Sequence, residues 1–193
     1  MKTLLAAALL LVALSGVAVA QSEPFIGIYD APEYVRCHAD IALYTSVTVY
    51  FLAYLPPPIQ AMTAAEFRVS NLPDATMAVM TPFWGTDLVI GDLGYGLALA
   101  WSPPLPGPVA QMGSVSFFSI QDFGDDYRIV VEPSLGSGNL IIVDENFDEI
   151  HCDLVPMWFT FNCTGSLPYG CDCPLHFTVA TEESSWGQIK ALY

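Results

Sequence analysis

The side chains best suited to chemistry in this 193-residue chain are five cysteines, three histidines and an acidic run near residue 145. Cys171-Asp172-Cys173 followed by His176, with His151-Cys152 upstream, holds enough sulfur and nitrogen for zinc. The spacing is not the usual C-x2-C pair, however, and an oxidising compartment turns such thiols into disulfides. Cys37, Cys152, Cys163, Cys171 and Cys173 are therefore disulfide candidates, with one left unpaired. Cys171 and Cys173 are poor partners for each other, because one intervening residue strains the ring. The expected set joins Cys37 to Cys152 or to the C-terminal cluster, and closes a short loop from Cys163 to Cys171 or Cys173.

The acidic run Asp144-Glu145-Asn146-Phe147-Asp148 matches the first half, D-x-N-x-D, of an EF-hand calcium loop. Asp144, Asn146 and Asp148 are thus weak candidate calcium ligands, and beyond them no cofactor is expected. The match then stops. Glu149 stands where the sharp turn wants glycine, and Val155 where a bidentate glutamate is needed. A hairpin turn, with Asn146 supplying the awkward backbone angle, accounts for the same residues. Gly124-Asp125-Asp126 is likewise a turn first and a cation site second.

For nucleophilic catalysis there is no G-x-S-x-G and no H-E-x-x-H, and Gly136-Ser137-Gly138 reads as a loop. Twenty acids can always supply a carboxylate pair for glycoside hydrolysis, which keeps a secreted glycoside hydrolase as the alternative reading. Aromatic residues offer a further lead. Trp84, in Pro82-Phe83-Trp84-Gly85, reads as part of an exposed loop and is the candidate for stacking on a sugar ring.

The compartment follows from the first twenty residues. Lys2, the apolar run Leu4 to Leu14, and Ala18-Val19-Ala20 have the order of a cleavable signal peptide. That run is shorter than the about 20 residues a membrane span needs. The expected product is secreted or otherwise extracytoplasmic, in bacterial periplasm, cell surface or medium, with no membrane span after cleavage. Twenty carboxylates against Arg36, Arg68, Arg128 and Lys190 repel phosphate backbones, which argues against nucleic-acid binding.

The elements that must position these residues read as strands. Phe25 to Tyr29, Leu43 to Leu55, Met62 to Ser70, Met77 to Met80, Leu97 to Trp101, Gly113 to Ile120, Tyr127 to Glu132, Leu140 to Val143 and Met157 to Phe161 alternate or are β-branched and aromatic. Helix competes only over Met62 to Phe67, where Thr63 to Glu66 imitates a capping box. Proline runs at 56–58 and 103–108 read as loops between strands. Nine such strands predict an all-β fold, an antiparallel β-sandwich of cohesin-like or immunoglobulin-like type. The expected organisation is signal peptide 1–20, sandwich 21–179 with a cysteine-rich end cap, and tail 180–193.

Val47 to Leu55 (VTVYFLAYL), Met62 to Ser70 (MTAAEFRVS) and Gly113 to Ile120 (GSVSFFSI) resemble strands of cohesin-like domains over roughly residues 43 to 145. The whole chain resembles small secreted bacterial proteins with a cohesin-like sandwich and extra cysteines. That resemblance implies a non-catalytic binding or surface-structural module, with an extracellular protein or polysaccharide as partner. The cysteines and the lack of a linker depart from cellulosomal cohesins, so the resemblance does not extend to dockerin binding. In the tail, Ser184 or Ser185 can cap a short helix bearing Trp186, Ile189, Leu192 and Tyr193. Trp186 is the candidate recognition residue there, since SWGQIKALY resembles the ends of other secreted proteins.

Overall fold

The structure is a computed structural model, and it describes residues 23–33, 36–86, 88–154, 157–167 and 170–173. The expected signal segment, His176 and the tail with Trp186 lie outside the described residues. Twelve strands are described: β1 (Phe25–Tyr29), β2 (His38–Ala39), β3 (Ser46–Tyr54), β4 (Ala61–Ser70), β5 (Ala78–Trp84), β6 (Leu88–Asp92), β7 (Gly96–Pro106), β8 (Val109–Ser119), β9 (Tyr127–Glu132), β10 (Ile141–Asp144), β11 (Glu149–His151) and β12 (Met157–Phe161). They form two sheets. One has the order β1-β3-β8-β5, and the other runs β11-β10-β4-β9-β12-β2 with β7 and then β6 added beside β4.

β4 is the hinge of the second sheet. Ala64 to Glu66 pair with β7 on one edge and with β10 on the other, and Arg68 to Ser70 go on to pair with β9. The capping-box alternative fails because Ala65, Phe67 and Val69 alternate into the core, a period of two that a helix would scatter around its circumference. Between the sheets lie Val49, Phe51, Phe67, Val115, Phe117, Phe159 and Phe161, all fully buried. Aromatic edges meet faces throughout, as in Phe117 against Phe161 with ring centroids 5.1 Å apart.

Four features depart from the sequence expectation. β5 continues through Pro82 to Trp84 instead of ending at Met80, so Trp84 is not in a loop. β5 is an edge strand, and there the N–H that proline lacks is not required. β7 likewise runs on through the proline stretch to Pro106. Trp101 to Pro104 bulge out opposite Thr63 alone, and pairing resumes at Leu105 with Met62. β6 was absent from the nine expected strands, as were the very short β2 and β11; β6 is exposed and closed by Gly91 and Asp92. Finally, β2 and β12 pair in parallel, whereas every other pair is antiparallel.

Candidate functional site

Register across the second sheet sets up two rows of side chains on its solvent face. Leu88, Ala100, Ala64, Val143 and Glu149 form one row; Ile90, Ala98, Glu66, Ile141 and His151 form the next. The row between them, Val89, Leu99, Ala65, Ile142 and Ile150, points the opposite way because side chains alternate along each strand. Leu88 and Ile90 stand 55% and 62% exposed on β6. The alanines beside them are small, so the face sinks into a shallow trough of about 190 Å³ between β6 and β10. Three strand spacings separate its walls, about 14 Å at the usual ~4.8 Å per strand. An α-helix with its side chains is about 10–12 Å across.

Among the described residues only Glu66 brings a charge to the trough floor, and its Oε1 accepts a hydrogen bond of 2.6 Å from the Ser137 hydroxyl. The rim is acidic, with Asp92 ending β6 and Glu149 on β11. The described cations are committed elsewhere. Arg36 is paired with Asp30 at 2.7 Å, and Arg68 with Glu132. Arg128 lies over the Trp158 ring at 4.7 Å and donates to the Thr160 hydroxyl and the Gly170 carbonyl.

The cysteines divide as two bridges and one thiol. Cys37 is joined to Cys173 across 136 residues, and Cys163 to Cys171 across 8, with Cα–Cα distances of 5.4 and 5.8 Å. Of the two partners open to Cys37, the C-terminal cluster is the one used. The His38 ring lies 3.0 Å from the Cys171 carbonyl, and with Arg128 it seats this cap against β12 and β2. Cys152 is free and buried; desolvation first, then the charges of Asp153 and Glu23, push its thiol up to about 12.

Asp144 is buried at the end of β10 and binds its own loop. Its Oδ1 accepts from the backbone N–H of Asn146 (2.8 Å) and of Asp148 (2.9 Å), and Oδ2 accepts from the Asn146 side chain (3.2 Å). These bonds hold its carboxyl below the usual carboxylate range. The left-handed residue in this turn is Phe147 (φ 68°), not Asn146. Its ring is 78% exposed, so the strained position carries no packing role. Among the described residues no group of three histidines, cysteines or acids is placed to hold a metal ion.

The same turn borders a groove of about 470 Å³ that also involves Glu23, Pro56 to Pro58 and His151. It is the acidic concavity a hydrolase reading would need. Its best-buried acid, Asp144, is held as an anion by three bonds, and Glu145 accepts from the Ala61 N–H at 3.1 Å. Asp144, with its carboxyl held below the usual range, is not a group that carries a proton near neutrality, as a general acid must.

Trp84 is half-buried, edge-on to Phe51 at 5.3 Å and to Phe67 at 6.2 Å. Gly113 on the neighbouring strand makes room for it, since a Cβ there would sit 2.5 Å from the indole. The indole is first a core closure at the sandwich edge. Its remaining surface lines a groove of about 870 Å³ with Phe83, Trp101 and Pro103 to Pro106, whose described lining residues carry no charge. Sequence reasoning missed the trough because β6 was missed. The signal that could have found it is Leu88-Val89-Ile90, a β-branched apolar run between turn residues.

No protein-family model matches the chain, and no curated protein matches it. Among solved structures it is similar to cohesin modules. CaCohA2 from Clostridium acetobutylicum is 15% identical, with a TM-score of 0.49 over 78% of this chain and 97% of that one. The cohesin module of the Clostridium perfringens ATCC13124 family 33 glycoside hydrolase is 9% identical, with a TM-score of 0.46 over 72% and 96%. A non-cellulosomal cohesin from the archaeon Archaeoglobus fulgidus is 9% identical, with a TM-score of 0.39 over 72% and 91%. The chain is a two-sheet β-sandwich, the fold class that the strand pattern predicts.

Proposed function

We propose that this protein is an exported, non-catalytic module that binds another extracellular protein on the trough formed by β6, β7, β4 and β10. The observation that carries the reading is the pair Leu88 and Ile90, both more than half exposed beside an alanine floor. Contiguous apolar surface of this kind marks interaction sites on soluble domains. The about 14 Å width suits an amphipathic helix laid with its apolar stripe in the trough. The acidic rim, in a chain of net charge −15, selects a partner whose helix is flanked by Lys or Arg.

Ala98→Arg tests this without touching the core, since Ala98 points outward from the middle of the trough. Capture of a secreted partner on the immobilised protein should fall at least tenfold with this variant while the melting temperature holds. Unchanged capture contradicts the proposal.

A further inference from the structure

We infer that the outer edge of β6 accepts an extended strand from a partner protein, one whose side chains alternate between apolar and basic. The inference rests on the protein-binding reading and assigns a second point of attachment beside the trough.

β5 and β6 are the outer strands of the two sheets and are joined by three residues, so together they bound one side of the sandwich. Among the described residues nothing closes that side. Register turns Met80, Pro82 and Val89 toward the interior, where their cross-strand neighbours Phe117, Val115 and Leu99 are buried. Met80 and Val89 nevertheless stay 36% and 40% exposed, and Pro82 is exposed as well. The outward positions add Val79, Phe83, Leu88 and Ile90, so residues 79–90 hold six of the thirteen large exposed apolar side chains among the described residues. This is an apolar seam along a sheet edge.

Natural edges are guarded by lysine, proline, a bulge or brevity. β5 has Pro82, which interrupts the row of edge donors. β6 is guarded only by its brevity and by Asp92 at its end; Leu88-Val89-Ile90 has neither proline nor charge, and in the described structure β6 pairs with β7 alone. The Leu88 N–H already donates to the Thr86 hydroxyl at 3.1 Å; the outward N–H and C=O groups of the other β6 residues can hydrogen-bond an added strand. A strand laid there would carry one set of side chains over Met80, Pro82 and Val89, and the other set beside Leu88 and Ile90.

Charge selects the occupant. Asp92 closes β6, Glu66 lies two strands in, and all three described arginines are engaged within the chain. A second copy, also of net charge −15, would bring like charge to like. An incoming strand with apolar residues at alternate positions and lysine or arginine between them meets both requirements.

The experiment uses the full chain and three blocked nine-residue peptides: alternating Val and Lys, the same peptide N-methylated at alternate residues, and alternating Val and Glu. Amide exchange and chemical shifts of β6 are read free and with each peptide. The expected result is unprotected β6 edge amides in the free protein, and shifts centred on Leu88 to Ile90 with the Val–Lys peptide. Affinity should be at least tenfold weaker for the N-methylated and the Val–Glu peptides. Ala64→Leu, which fills the trough floor without changing the charge beside Glu66, should weaken capture in the trough and leave this binding within twofold, so failure of the trough and failure of the edge are told apart. Protected β6 amides in the free protein would mean that the chain or a second copy already covers the edge, and would overturn the inference. So would equal binding of the N-methylated peptide, or no binding of the Val–Lys peptide at millimolar concentration.

Discussion

At the scale of single residues, most of the groups that look chemical are structural. Asp144 matches the first position of a calcium loop, yet its oxygens already accept three bonds from the turn it begins. Millimolar calcium should leave the melting temperature unchanged, and a rise of several degrees would restore the cation site. Asp144→Ala should lower stability by about 1 kcal/mol, because the N–H groups of the turn lose their acceptor and turn to water. Asp74, Asp126 and Asp144 all have lowered pKa values, through bonds from Thr76 and Met77, from Thr164, and from Asp148 and Asn146 respectively. Carboxyls depressed in the folded state stabilise it above their unfolded values and lose that effect as pH falls through the folded ones. Thermal melts should therefore be flat near neutrality and drop below about pH 4, with Asp126→Asn and Asp144→Asn flattening the drop. Cys152 behaves as a buried apolar group. With its thiol pushed up to about 12, it should resist alkylation at pH 8 in the native protein and react once in denaturant. The D-x-N-x-D pattern was legible in the sequence, but which atoms fill its oxygens depends on how the loop closes. A motif does not carry that.

At the scale of elements, the strands that face a core on one side were legible and the edges were not. β4, β9 and β12 announce themselves by alternation or aromatic density, because one face of each must be buried. β6 has no such demand and shows only a three-residue apolar run. Pro82 and the 103–106 prolines read as strand breakers, yet an edge position and a bulge make them tolerable. The bridges also act at this scale. Chain entropy assigns about 5 kcal/mol to a loop the length of Cys37–Cys173 and about 2.5 kcal/mol to one the length of Cys163–Cys171. Replacing the first pair by serine should lower stability about twice as much as replacing the second, as read from urea unfolding midpoints. Gly113→Ala would drive a methyl into the Trp84 indole and the Phe83 carbonyl, each 2.5 Å away. A loss of about 1–3 kcal/mol is expected, and near-neutral behaviour would show that Trp84 is free to move.

At the scale of the whole molecule, a strongly acidic sandwich commits its described arginines internally and leaves apolar surface on one sheet face and one side. The class of fold was readable from strand spacing. The binding face was not, because it arises only when register aligns β6, β7, β4 and β10 so that Ala64, Ala98 and Ala100 share a floor. The most direct measurement is capture of extracellular proteins on the immobilised full chain, wild type beside Ala98→Arg and beside Thr81→Arg on the other sheet. The account predicts a partner retained by wild type and Thr81→Arg, and lost at least tenfold by Ala98→Arg. Retention by all three, or equal loss with both variants, would contradict it.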